Sequence, residues 1–233
     1  PHAITLDNPN NDFTGAVALI NTGPNNILIN DVNAIVFGTS TIGSGTLTVN
    51  AIGITQVGPI TQEAAAGAAT FNSGSDAIVL TDPGNDFTGP VILNTTVSAD
   101  ASVVDSNAII LGASTVAGNL YVTAHGDITQ VGVLLVSGNA TFTIGALDPL
   151  VYPDGADVLL HTQPNDIAGL VTIQPVNDPA DLTVPPNPPL IRDIGLRNIN
   201  PAATLLGIGP PIYARNFTII FNNAPVILPQ TTL

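Results

Sequence analysis

Three aspartates recur in nearly the same short motif and are the first candidates for chemistry. Asp12 and Asp86 each begin the sequence Asp-Phe-Thr-Gly, and Asp166 begins the related sequence Asp-Ile-Ala-Gly. A row of carboxylates could bind cations. The interpretation that we favour is a structural turn, in which each carboxylate accepts a backbone N–H group two residues further on.

Two pairs of loop aspartates have a spacing that suits weak Ca²⁺ binding, Asp154 with Asp157 and Asp178 with Asp181. The Gly-Gly-x-Gly-x-Asp calcium repeat is absent from the sequence. Solvated loop carboxylates explain both pairs without a metal. We therefore predict no cofactor, and Ca²⁺ remains the one ion to consider.

The sequence offers little support for catalysis. It lacks the Gly-x-Ser-x-Gly elbow of many hydrolases, and its three histidines lie far apart. A β-helical polysaccharide lyase needs a basic residue near the sugar acid, and residues 1–191 contain no Lys or Arg. A polysaccharide hydrolase needs only two facing carboxylates and is kept as the least favoured alternative. We predict that the chain is not an enzyme.

Glycan binding is the second alternative. All three arginines fall in or next to a Pro-rich stretch of about residues 177–213, which could project as a binding loop. The aromatic residues Tyr121, Tyr152, Tyr213, Phe217 and Phe221 could stack on sugar rings. The candidate binding residues are Arg192, Arg197, Tyr213 and Arg215.

The charge balance excludes several kinds of partner. The chain has 17 acidic residues against three Arg and no Lys, which gives a formal net charge of −14. Such a surface repels nucleic acid and anionic membranes. No apolar run reaches the length of about 18 residues that a membrane-spanning helix needs. We therefore expect neither a nucleic-acid partner nor membrane insertion.

The chain repeats itself with an offset of 74 residues. Besides the Asp-Phe-Thr-Gly motif, residues 54–58 return at 128–132 as Ile-Thr-Gln-Val-Gly. We divide the chain into units 1–76, 77–156 and 157–233, with an insertion at about 177–213 in the third. The missing initiator Met predicts a piece of a longer protein.

The residue types predict short strands and tight turns. Val, Ile and Thr are abundant beside Gly, Asn and Pro, and apolar segments of about five residues recur every 8 to 12 residues. A unit of 74 residues is long for a propeller blade and short for an immunoglobulin sandwich. Coils of about 20 to 27 residues would divide it into about three. We predict an all-β, right-handed parallel β-helix of about ten coils.

Four segments of the sequence carry a family resemblance, residues 85–89, 118–124, 127–130 and 137–142. They resemble the repeats of large bacterial exoproteins, the filamentous-haemagglutinin-like adhesins. The resemblance implies a β-helical shaft, export to the cell surface, and a role in adhesion, biofilm or extracellular fibres. It implies no catalytic motif.

We therefore expect a non-enzymatic, structural segment of an extracellular bacterial adhesin or fibre. Its open coil ends would associate end to end or continue into a longer chain. A glycan or cell-surface receptor is a further expected partner.

Overall fold

The computed structural model describes residues 2–148, 150–176, 191–208 and 215–226, apart from the side chains of 205–208. These residues form short β-strands joined by turns, and no helix occurs among them. In chain order the strands are β1 Ile4–Leu6, β2 Ile27–Asn30, β3 Ile35–Phe37, β4 Ser40–Ile42, β5 Leu47–Asn50, β6 Ile54–Gln56, β7 Ile60–Gln62, β8 Ala69–Asn72, β9 Ile78–Leu80, β10 Val91–Asn94, β11 Ala101–Asp105, β12 Ile109–Leu111, β13 Ser114–Val116, β14 Leu120–Ala124, β15 Ile128–Gln130, β16 Leu134–Val136, β17 Ala140–Ile144, β18 Ala156–Ile167, β19 Leu170–Pro175, β20 Ile191–Asn198, β21 Thr204–Ile208 and β22 Asn216–Phe221.

Each strand stacks in parallel on the strand one turn of the chain later. We call one such turn a coil. Strand β2 pairs with β5, and β5 pairs with β8, without a shift in register. About nine coils are stacked in this way and form a β-solenoid. The predicted all-β parallel β-helix is confirmed, with about nine coils rather than ten.

Each coil has three sides, which we number by the strands of the second coil. Side 1 carries β2, side 2 carries β3 and side 3 carries β4. The strands stacked on side 1 include β5, β8, β10, β13 and β16. Side 2 continues through β6, β9, β11, β14, β17, β19 and β21. Side 3 continues through β7, the Thr61–Asp86 bridge, β12, β15, the first half of β18, β20 and β22.

The sequence repeat does not match a whole number of coils. Along side 1, equivalent residues of successive coils are 20 to 23 positions apart. A repeat of 74 residues therefore spans about three and a third coils. Strand β2 on side 1 corresponds to β11 on side 2, and β3 on side 2 corresponds to β12 on side 3. Each sequence repeat is thus rotated by one side around the solenoid axis.

The core is a single apolar column inside the coils. Within each strand burial alternates, because successive side chains of a strand point to opposite faces. In β2, for example, Ile27 and Ile29 are buried, whereas Leu28 and Asn30 are partly exposed. The buried apolar cluster runs without a break from Leu19 to Leu196. The three sequence units therefore share one core and are repeats along the solenoid.

A column of glycines allows the coils to approach closely before the strands of side 1. A Cβ at Gly67 would lie 2.8 Å from Cγ2 of Thr46, and one at Gly89 would lie 2.2 Å from the carbonyl oxygen of Gly67. Both distances are shorter than a van der Waals contact. A residue with a Cβ would therefore not fit at these corners, and close packing of the coils explains why Gly recurs in the sequence.

Part of the predicted insertion belongs to the solenoid. Of residues 177–213, the structure describes 191–208, and these form β20 and β21. Strand β20 pairs in parallel with β18, and β21 with β19. Residues 191–208 therefore do not project from the rod, because they extend its sheets by a further coil. Residues 177–190 and 209–214 lie outside the described residues.

Candidate functional site

The three repeated aspartates all join one coil to the next. In each case the side-chain amide of an asparagine one coil later donates a hydrogen bond to Oδ1 of the aspartate. The pairs are Asn33 with Asp12 at 3.2 Å, Asn107 with Asp86 at 3.1 Å, and Asn200 with Asp166 at 2.6 Å. The side-chain contacts of these aspartates thus run between coils, whereas we expected a turn within one coil.

The expected turn lies one coil further along the chain. In the second copy Asp105 Oδ1 accepts a hydrogen bond from the backbone N–H of Asn107 at 2.9 Å, two residues on. Its other oxygen accepts from the backbone N–H of Phe87, one coil earlier, at 2.8 Å. The same two contacts are made by Asp31 in the first copy and by Asn198 in the third.

These residues form a repeated set that we call the inter-coil clamp. The first clamp is Asp12, Phe13, Asp31 and Asn33, the second is Asp86, Phe87, Asp105 and Asn107, and the third is Asp166, Ile167, Asn198 and Asn200. Because each sequence repeat is rotated by one side, the three clamps lie at three different corners of the solenoid.

A buried asparagine lies next to the second clamp and hydrogen-bonds to several groups of the same corner. Asn85 is fully buried, and its Nδ2 donates to Oε1 of Gln56 and to the carbonyls of Leu80 and Val104. Its Oδ1 accepts from Nε2 of Gln56 and from the backbone N–H of Ile60. All the hydrogen-bonding capacity of this buried amide is therefore used inside the solenoid.

The third copy repeats this arrangement at Asn165. Its Nδ2 donates to Oε1 of Gln130 and to the carbonyls of Leu160 and Arg197. Its Oδ1 accepts from Nε2 of Gln130 and from the backbone N–H of Leu134. We call each Asn–Gln pair an asparagine plug. The Gln residues belong to the repeated Ile-Thr-Gln-Val-Gly sequence, so this repeat has a physical cause.

Asparagines at the ends of four side 1 strands form a continuous ladder. The amide of Asn50 donates to Oδ1 of Asn30 at 2.7 Å, and Asn72 and Asn94 continue the series at 2.8 Å each. An asparagine amide both donates and accepts, so identical residues can stack without repulsion. The ladder was not predicted, although an Asn at the end of a strand recurs in the sequence every 20 to 22 residues.

Burial changes the acid–base behaviour of one clamp residue. Asp105 is fully buried, and burial raises the pKa of its carboxyl group from 3.8 to about 6. The hydrogen bonds from the backbone of Asn107 and Phe87 act in the opposite direction, and the nearby charge of Asp86 adds to the increase. The second clamp therefore contains a carboxyl group that is protonated in mildly acidic solution.

The repeat matches a known family of protein repeats. The model of a family described as Repeats of unknown function (DUF5649) matches residues 1–20, 24–94 and 98–174. The chain belongs to this family. No curated protein and no solved structure matches the chain. The matched ranges contain the whole of the first and second clamps, so the DUF5649 repeats of this chain are solenoid coils with polar contacts at their corners.

The arginines of this DUF5649 chain, which we had considered for glycan binding, also join coils. Arg192 Nε donates to Oδ1 of Asp157 at 2.8 Å, and Arg215 Nη2 donates to Oδ2 of Asp193 at the same distance. Hydrogen bonding to Asp157 raises the pKa of Arg192 further above its usual range. Arg197 Nε donates to Oδ1 of Asn222 at 3.1 Å. Tyr213 lies outside the described residues.

The structure describes two of the four calcium candidates, Asp154 and Asp157, and gives them different surroundings. Asp157 is engaged with Arg192, and Asp154 is exposed in the turn before β18. Asp178 and Asp181 lie outside the described residues. Within the described ranges, no three His, Asp or Glu side chains are grouped as a metal ion would require. The described part of the chain likewise contains no helix that is long and apolar enough to cross a membrane.

Two histidines lie against glycines of the following coil. A Cβ at Gly145 would lie 2.4 Å from Cδ2 of His125, and one at Gly195 would lie 2.1 Å from Nδ1 of His161. Each imidazole thus occupies the space of a missing side chain on its neighbour. The DUF5649 coils therefore use these histidines for packing between coils.

Proposed function

We propose that the chain is a non-enzymatic structural segment of an extracellular bacterial adhesin or fibre, where it acts as a stiff spacer. The observation that carries this proposal is the use of polar side chains between coils. In the clamps, the asparagine plugs and the asparagine ladder, hydrogen-bonding groups of one coil find their partners in an adjacent coil. The carboxylates of the clamps and the amides of the plugs are engaged in contacts between coils, which supports a structural role.

The dimensions of the solenoid suit a spacer. Parallel strands of adjacent coils are about 4.8 Å apart, so about nine coils give a rod of about 40 Å. When such a rod is stretched along its axis, all the hydrogen bonds between two neighbouring coils resist the force at the same time. The family matched by the chain consists of repeats, so the same unit can be used several times to set a length.

The surface charge supports a location outside the cell. Seventeen acidic residues against three Arg keep a long rod soluble and repel other copies of the same surface. The absence of Cys removes any dependence on disulfide bonds. The resemblance to filamentous-haemagglutinin-like adhesins supports the same location and adds adhesion and biofilm as the processes that the spacer would serve.

The glycan-binding alternative has less support. Its four candidate residues include Arg192 and Arg215, and both guanidinium groups are paired with carboxylates of the adjacent coil. A sugar acid would have to displace Asp157 or Asp193 from these pairs. The structural role explains the same arginines without a ligand.

Labelling of intact cells tests the location and the role. Antibodies against the purified chain should label the surface of the producing bacterium, and removal of the segment should reduce adhesion or biofilm. The matched control deletes residues 3–76 only, because Ala77 then takes the place of Ala3 and the register is kept. This shorter rod should remain folded and surface-exposed. Labelling only after permeabilisation would contradict the proposal.

A further inference from the structure

No described residue covers the face of the first coil that points away from the second coil, and we call it the open N-terminal face. Strand β1 pairs with β2 on one edge, and no described strand pairs with its other edge. Leu6 is 36% exposed, whereas its counterpart Leu80 is fully buried. The same holds for Ile4, which is half-buried, and Ile78, which is fully buried. In the second copy these positions are covered by the coil before them.

The first copy of the asparagine plug is incomplete at this face. Asn11 Nδ2 donates to the carbonyl of Leu6 at 2.9 Å, as Asn85 and Asn165 do to the carbonyls of Leu80 and Leu160. Its Oδ1 has no donor among the described residues. In both other copies this oxygen accepts two hydrogen bonds, and both donors belong to the preceding coil.

The backbone of the first coil is open in the same place. Ile54 N–H donates to the carbonyl of Ala77 at 3.0 Å, and so joins the second copy to the coil before it. The equivalent carbonyl, that of Ala3, has no donor among the described residues. Ile4 N–H donates to Asn26 of the next coil. Since alternate residues of a parallel strand point their N–H groups to opposite edges, Thr5 N–H faces the open edge.

The two complete plugs define what fits this face. Both preceding coils supply the sequence Gln-Val-Gly-x-aliphatic, as residues 56–60 and 130–134. Glutamine exchanges hydrogen bonds with the asparagine amide in both directions, and its Nε2 also donates to the glycine carbonyl of its own turn. The aliphatic residue contributes its backbone N–H to the same asparagine oxygen.

We propose that the open N-terminal face is a docking surface for a parallel β-coil that carries a Gln-Val-Gly-x-Ile or Gln-Val-Gly-x-Leu turn. The glutamine exchanges hydrogen bonds with Asn11, and the aliphatic residue donates its N–H to Asn11 Oδ1. The strand that ends at the glutamine pairs with β1, as β6 pairs with β9 and β15 with β18. This occupant continues the interface that the solenoid already uses twice. The proposal deepens the proposed spacer function, because it names the chemistry that joins this segment to its neighbour.

The test adds one coil to the purified chain. Residues 50–76 are placed directly before Ala3, so that the junction reproduces the natural step from residue 76 to Ala77 and the added Gln56 lies 29 residues before Asn11. Hydrogen exchange at the Thr5 amide should slow by at least about tenfold relative to the original chain, because the amide becomes part of a ladder. Unchanged exchange would overturn the proposal.

Two substitutions distinguish the proposed hydrogen bonds to Asn11 from a non-specific effect of placing any coil over β1. Gln56→Ala in the added segment alone should raise the unfolding equilibrium constant of the extended chain by about tenfold or more. Asn11→Ala should cause a similar change in the extended chain and little in the original chain. Additive effects of the two substitutions in the extended chain would overturn the proposal, since groups in contact must couple.

The oligomeric state of the original chain provides the last readout. Sedimentation should show monomers whose Thr5 amide exchanges rapidly. Dimers with a protected Thr5 amide would overturn the proposal, because a second copy would then occupy the face without the added coil. All these readouts use purified protein, so they can fail while surface labelling of cells succeeds, and the reverse is also possible.

Discussion

The same three-residue sequence has different surroundings in the first coil and in the fourth coil. Asn11, Asp12 and Phe13 near the N-terminal end correspond to Asn85, Asp86 and Phe87 in the middle of the rod. Asn85 is fully buried and Phe87 is 1% exposed, whereas Asn11 and Phe13 are only half-buried. The difference arises because a coil lies below the second copy and none of the described coils lies below the first.

This comparison separates residue identity from environment. The hydrogen bonds toward the following coil are nearly identical in both copies, with the asparagine–aspartate distance at 3.2 Å in the first and 3.1 Å in the second. The contacts toward the preceding coil differ, and Asn85 Nδ2 also donates to the carbonyl of Val104 in the following coil, a bond without a counterpart at Asn11 among the described residues. The energetic importance of a residue in a DUF5649 repeat should therefore depend on its position in the stack, and this can be measured.

The largest effect is expected at the asparagine plug. Asn85→Ala leaves the N–H of Ile60 and the carbonyls of Leu80 and Val104 buried without this partner. At about 1–3 kcal/mol for each unsatisfied group, we expect a loss of about 3 kcal/mol or more in the free energy of unfolding. The matched Asn11→Ala removes one hydrogen bond beside solvent and should cost about 1 kcal/mol or less. Urea denaturation measures both, and equal losses would contradict the role of burial.

The second largest effect is expected at Asp105 and depends on pH. Its carboxyl pKa is about 6 in the folded chain, against 3.8 when exposed. Between these values the unfolded chain ionises first, so stability falls as pH rises from about 4 to about 6, and the loss remains at higher pH. A shift of this size corresponds to about 3 kcal/mol.

Asp105→Asn should remove this dependence. Asn198 occupies the equivalent position of the third clamp and accepts from both backbone N–H groups, so an amide fits the site. The variant should be at least as stable as the original chain at pH 7 and show a flatter profile between pH 4 and 6. The matched control for the substitution itself is Asp31→Asn in the first clamp, where the carboxylate makes the same two contacts. A pH profile that Asp105→Asn leaves as steep as that of the original chain would rule out this carboxyl group as the cause.

The fold could be predicted because its signals are local. Alternating apolar residues in short segments, with Gly and Asn between them, indicate strands and turns at each step of the chain. The repeat then indicates that one unit is stacked. The residues at the corners were also visible in the sequence, since Asp12 and Asp86 recur in one motif and Gln56 and Gln130 in another.

The partners at the corners could not be predicted, because they depend on the length of the coil. Asp12 contacts Asn33, which is 21 residues away, and the sequence repeats at 74. The number of coils in a repeat is not a whole number, so the offset between repeats hides the offset between coils. For the same reason the asparagine ladder of side 1 was missed, and residues 191–208 were assigned to an insertion.

The smallest effect is expected where both copies are equally exposed. Asn33→Ala and Asn107→Ala each remove one side-chain hydrogen bond, to Asp12 and Asp86 respectively, and both contacts lie at the surface. Solvent can replace such a bond, so each substitution should cost about 0.5 kcal/mol. The two values should agree with each other, although the asparagine plugs beside them differ strongly. Urea denaturation of the two variants under the same conditions measures this agreement, and a much larger loss for Asn107→Ala would mean that burial acts on the whole second clamp and not only on its inner contacts.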